Sequence, residues 1–94
     1  MSSGPGPADA PRRDEVFAVV RDAVATVLER DPASIGWDTA FDELQADSLA
    51  LVEVAEIVEE RLAPLAPAGF RLPDDELERL ATISDAVDLA LARL

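Results

Sequence analysis

The stretch Phe41 to Leu62, FDELQADSLALVEVAEIVEERL, decides the fold. Leu51, Val54, Ala55, Val58 and Leu62 recur at steps of three, one, three and four residues, which places them on one face of a helix. Val52 and Ile57 widen that face. The spacing predicts a helix from about Ser48 to Leu62, stopped by Pro64 and Pro67. Asp47 and Ser48 stand together at its entrance, and either side chain can accept a hydrogen bond from a free backbone N–H of the first turn. The aspartate charge also suits the positive end of the helix dipole. One cap is enough, so the second polar group is left for another use.

Working outward, the pattern turns helical from Arg12. Val16, Val20, Ala23, Val24 and Val27 fall on one face, and Asp31-Pro32 is expected to end the helix. Valine is a poor helix former, so packing on that face must decide the conformation. Asp31 to Asp47 reads as a long loop, punctuated by Pro, Ser, Gly and Thr. It carries Ile35, Trp37, Phe41 and Leu44, and so many large apolar side chains predict a loop folded back on the core. Downstream, Phe70 and Leu72 are candidate anchors, and Asp74 to Leu80 reads as a short third helix behind Pro73. TISD, Thr82 to Asp85, has the spacing of a capping box. Behind it Ile83, Ala86, Val87, Ala90, Leu91 and Leu94 give an apolar face. The sum is an all-α, four-helix bundle: three main helices, one short third helix and a long first loop.

With 94 residues, one domain is expected, running from 12 to 94. Met1 to Pro11, rich in Gly, Pro and Ser, is expected to be a disordered tail. It has no basic start and no apolar run, so no secretion signal is expected. No apolar run approaches the ~18–20 residues of a membrane span, and a cytoplasmic monomer is the simplest expectation. Twenty acids against eight bases, all arginine, give a net charge of −12. That field repels nucleic acid and anionic membranes and attracts proteins with basic patches.

The chain has neither histidine nor cysteine. The usual general base, the usual zinc ligands, a thiol nucleophile and any disulfide are therefore absent, and no metal site is expected. Lysine is missing too, so Ser48 has no base to activate it as a nucleophile, and no catalytic residue is assigned. An exposed serine that receives a group from another enzyme needs no base of its own. A phosphate attached there would sit at the positive end of a helix.

From Asp42 to Glu60 every charged residue is acidic: Asp42, Glu43, Asp47, Glu53, Glu56, Glu59 and Glu60. Glu56 and Glu60, four apart, repel each other by a few tenths of a kcal/mol. A helix shaped only for stability would intersperse arginine, so the block suggests a surface read by a basic partner.

At ADSLALVE, Ala46 to Glu53, the sequence resembles the acyl carrier proteins of fatty-acid and polyketide synthesis. Their signature is Asp-Ser-Leu opening the second helix of a four-helix bundle. DPASIGWDTAFDELQADSL is similar to the family's first loop, and RLPDDELERLATISDAVDLAL to its third helix and the entry to its last. The resemblance implies a covalent 4′-phosphopantetheine on Ser48, delivered from coenzyme A by a phosphopantetheinyl transferase. The arm's thiol would then carry acyl groups as thioesters. It implies docking of transferase, ketosynthase and acyltransferase through Asp47, Leu49, Glu53, Glu56, Glu59 and Glu60, and makes the chain a non-catalytic carrier. DSLALVE looks most like stand-alone carriers of bacterial polyketide synthesis. Three features depart from the pattern. Ala46 stands where many members have glycine, and Glu56 where many have an apolar residue. The connection at 63–70 is longer than in compact members and has no assigned role.

Two other readings compete. A peptidyl carrier shares the fold, but its motif usually lacks an acid before the serine. An acidic helical adaptor would bind a basic protein and carry nothing, with Ser48 as a cap only.

Overall fold

The computed structural model describes residues 13–66 and 70–94. The expected tail at 1–11, Arg12 and the stop at Pro67 lie outside these residues. Helix α1, Arg13–Leu28, buries Val16, Val20, Ala23 and Val24 along one stripe. That stripe packs against both α2, Ser48–Leu62, and α4, Ile83–Arg93. Helix α3, Asp74–Leu77, is a single turn packed against α2. The order α1–α2–α3–α4 makes an all-α four-helix bundle, and its one β feature among the described residues is an isolated Ala40–Thr82 bridge. No polar or charged side chain is buried among the described residues, so packing alone carries the core. Val27 and Leu51, read as core from their spacing, are half-buried against its rim.

Helix α1 ends earlier than Asp31-Pro32 would require. Glu29 adopts φ 55°, and the Arg30 N–H donates to the Ala25 carbonyl at 2.9 Å. This is the six-to-one bond of a Schellman ending, with glutamate where glycine is the favoured residue. Pro32 then opens a 3₁₀ turn, Pro32–Ser34, capped by the Asp31 carboxylate on the Ala33 N–H at 2.9 Å.

The first loop folds back as expected. Ile35, Phe41 and Leu44 are buried, and Trp37 stacks on Phe17 of α1 with ring centroids 4.2 Å apart. The loop also ties to the entrance of α4. Ser84 N–H donates to the Trp37 carbonyl at 2.9 Å, and Ile83 N–H to the Thr39 carbonyl at 3.0 Å. Those two donors would otherwise be orphans of the first helical turn. The capping box read from TISD is present, with Thr82 and Asp85 each accepting from the other's backbone N–H.

Helix α3 is shorter than the Asp74–Leu80 segment expected. After Glu78 the bonds become Arg79 N–H to Glu76 and Leu80 N–H to Leu77, three-residue steps that tighten and end the helix. Ala81 then turns its carbonyl to the Phe41 N–H at 2.9 Å, which pulls the chain out of helical register. Phe70 and Leu72 are buried, as anchors should be.

At the entrance to α2, Asp47 is the cap. Its carboxylate accepts from the Ala50 N–H at 2.8 Å, and its backbone is extended, while Ser48 is the first helical residue. Asp47→Ala should therefore cost about 0.5–2 kcal/mol in denaturant unfolding, whereas Ser48→Ala should stay within about 0.5 kcal/mol. A loss at Ser48 equal to that at Asp47 would make the serine the cap. Glu29→Gly should add roughly 0.5–1 kcal/mol by removing a left-handed glutamate, measured the same way.

Candidate functional site: an exposed serine at the head of a helix

The chain reaches Ser48 through a tightly specified turn. Residues 41–45 coil once, with Leu44 N–H donating to the Phe41 carbonyl at 3.1 Å and Gln45 N–H to Asp42 at 3.1 Å. Gln45 is left-handed at φ 60°, and Ala46 N–H closes back on the Phe41 carbonyl at 3.1 Å. The left-handed residue is thus Gln45, one position before the Ala46 singled out in the sequence. Glu43 accepts from the Ala40 N–H at 3.0 Å, which seals the start of the turn. Arg30 Nη2 donates to the Leu44 carbonyl at 3.2 Å, pinning its end. Buried Phe41 and Leu44 anchor the turn in the core, and so determine where Asp47 and Ser48 emerge.

Ser48 is exposed, and its hydroxyl makes no hydrogen bond to another described residue. The backbone N–H groups of Ser48 and Leu49 likewise find no acceptor among the described residues, whereas Ala50 N–H is held by Asp47 and Leu51 N–H bonds the Asp47 carbonyl at 3.0 Å. A free primary alcohol, with open donors at the positive end of a fifteen-residue helix, fits esterification by a phosphate. The residues present therefore suit a covalent phosphopantetheine. The adaptor reading needs Ser48 for capping, and that bond belongs to Asp47.

Around the serine, Leu49 is 67% exposed, the largest exposure of any big apolar side chain among the described residues. Asp47, Glu53, Glu56 and Glu60 are exposed along the entrance and outer side of α2. None of those three glutamates has a hydrogen bond or ion pair with another described residue. Glu59 differs. Its side chain is only 22% exposed, accepts from the Leu72 N–H at 2.6 Å and lies 3.9 Å from the Arg71 guanidinium. Spacing along α2 treats all four glutamates alike and carries no sign of this distinction. Sequence reading also missed Arg30, whose bond to Leu44 crosses fourteen positions. No helix among the described residues is long and apolar enough to cross a membrane, and no group of side chains there could hold a metal ion.

Residues 18–90 match the family model described as "Phosphopantetheine attachment site". The chain is 47% identical over 77 residues to an acyl carrier protein of Acidothermus cellulolyticus, covering 81% of this chain and 84% of that one. It is 37% identical over 75 residues to an acyl carrier protein of Lactobacillus acidophilus, covering 79% and 86%. A third acyl carrier protein, from Petrotoga mobilis, is 32% identical over 83 residues, covering 87% and 91%. The match spans α2 and α3 entirely and most of α1 and α4, and Ser48 is the first residue of α2. The chain belongs to the acyl carrier protein family, whose members are non-catalytic carriers of a covalently attached 4′-phosphopantetheine.

Proposed function

We propose that Ser48 is the attachment residue, and that the domain from 12 to 94 carries acyl intermediates for a polyketide or fatty-acid synthase. The observation that carries this reading is the Ser48 hydroxyl, exposed and without a partner among the described residues, beside an aspartate that already caps the helix. Ser48 Oγ is the oxygen of the new phosphoester, and the transferase must supply the base, since this chain has no histidine or lysine. The bound group contributes the terminal thiol that holds acyl chains as thioesters, which a cysteine-free chain lacks.

The remaining work of the chain is presentation. Leu49 offers an apolar contact next to the attachment point, and Asp47, Glu53, Glu56 and Glu60 offer negative charge along one helix. Glu59 adds charge to that field, though its carboxylate is engaged with Leu72 and Arg71. Such a surface steers basic patches of a transferase, a ketosynthase or an acyltransferase into contact and orients them around Ser48. DSLALVE favours a polyketide context, and Asp47 before the serine disfavours a peptidyl carrier.

Incubation with coenzyme A and a broad-specificity transferase should add one phosphopantetheine to the intact mass of the wild type and none to Ser48→Ala. An unmodified wild type, or a fully modified variant, would refute the assignment. Turnover by a partner enzyme should weaken as salt rises, because exposed charges are screened beyond about 8 Å at physiological ionic strength. A flat salt profile would place docking on Leu49 and other apolar contacts instead.

A further inference from the structure

One side chain joins the two left-handed sites of the chain. Glu29 at φ 55° and Gln45 at φ 60° are the non-glycine residues in that conformation among the described residues. Arg30 follows the first and Leu44 precedes the second. Arg30 Nη2 donates to the Leu44 carbonyl at 3.2 Å, across fourteen positions. The backbone of Arg30 is itself fixed, since its N–H donates to the Ala25 carbonyl at 2.9 Å where α1 ends. No backbone N–H among the described residues donates to the Leu44 carbonyl, and no carboxylate there pairs with Arg30. The two are joined by a charge-assisted hydrogen bond with no second partner on either side among those residues. It is also the one hydrogen bond among them that ties residues 42–46 to a distant part of the chain.

The turn at 41–46 has reason to need that tie. Gln45 carries a Cβ, and a left-handed backbone is costly for any residue that does. The Ala46 N–H closes on the Phe41 carbonyl at 3.1 Å across this residue, so the closing bond depends on its conformation. Asp47 comes next and caps α2 from an extended backbone, with Ser48 as the first helical residue. An open turn frees Asp47 from the conformation a cap requires, and Ser48 frays with it.

We propose that Arg30 is a positioning residue for the modification of Ser48: its bond to Leu44 keeps the 41–46 turn closed, so that the transferase meets the serine at an intact helix head. The role in modification rests on the carrier reading above, whereas the tie is a property of the unmodified chain. An enzyme that takes only the closed form has its apparent affinity reduced by the closed fraction, and the chemistry of the bound chain is untouched. Loss of the bond therefore raises the KM for this chain and leaves kcat as it was.

The test compares wild type, Arg30→Met, Arg30→Met combined with Gln45→Gly, and Arg79→Met, each as substrate for a broad-specificity transferase with coenzyme A. Methionine keeps an apolar stem and removes the donor. In Arg30→Met, protection of the Ala46 amide against exchange should fall and KM should rise, each about threefold, the two factors multiplying to the roughly tenfold worth of one charge-assisted bond. The kcat should stay within about twofold. Protection at Val20 and Val24 should stay at the wild-type level, which separates local opening from global unfolding. Charge alone predicts the opposite sign, because a chain one unit more negative docks better on a basic enzyme and lowers KM. Arg79 is exposed, with no side-chain bond to another described residue, and Arg79→Met makes the same change of charge without raising KM. Glycine holds φ 60° without support, so adding Gln45→Gly should return both readings toward wild type. Unchanged Ala46 protection, an unchanged or lowered KM, or lost protection at Val20 and Val24 in Arg30→Met would overturn the proposal. An equal rise in Arg79→Met, or no recovery with Gln45→Gly, would do the same. A wild type that accepts no phosphopantetheine would strike the carrier reading, while Ala46 protection would still decide whether Arg30 holds the turn.

Discussion

The stripe Val16, Val20, Ala23 and Val24, closed between α2 and α4, is the constraint on which the other geometry rests. The chain has no disulfide, and no metal-holding group among its described residues, so this burial does the work that staples do in other small domains. It determines which face of α2 turns inward: Val54, Ala55, Val58 and Leu62. Once that face is committed, Ser48 and Leu49 project from the head of the helix, and Glu53, Glu56 and Glu60 line its outer side. The exposure of Ser48 is a consequence of core packing about two to four turns away.

The first loop transmits the same constraint to the other end of the site. Its carbonyls at Trp37 and Thr39 occupy the N–H groups of Ser84 and Ile83, while Phe41 and Leu44 sit in the core. Asp47 therefore arrives at α2 in the extended conformation a cap requires. With the Ala50 N–H held by Asp47, the serine hydroxyl is left without a partner among the described residues. A helix with repelling acids on its outer side is less stable than it might have been made, by a few tenths of a kcal/mol per pair. The docking of basic enzymes proposed above would account for that cost.

Much of this was legible in the sequence, because buried helices write a period of 3.6 into it. The α2 bounds, the folded first loop with Ile35, Phe41 and Leu44, and the Thr82–Asp85 box all followed from spacing. The Asp47–Ser48 ambiguity did not resolve, since both side chains can cap and only the backbone angles decide between them. The left-handed turns at Glu29 and Gln45 were invisible because the usual signal, glycine, is absent there. The engagement of Glu59 was invisible for another reason: its partner lies thirteen positions away, across a proline-rich connection whose path no local pattern specifies. Helix α3 was read too long because its termination depends on Ala81 pairing with Phe41, forty residues earlier.

The central claim is that the group is carried on Ser48 and on no other hydroxyl. The chain offers Ser2, Ser3, Ser34 and Ser84 as competitors, along with its threonines. Fragmentation of peptides from the modified protein locates the added mass directly. The account predicts the whole modification on Ser48 within the peptide that contains ADSLALVE. Modification at any other residue, with Ser48 left bare, would contradict it.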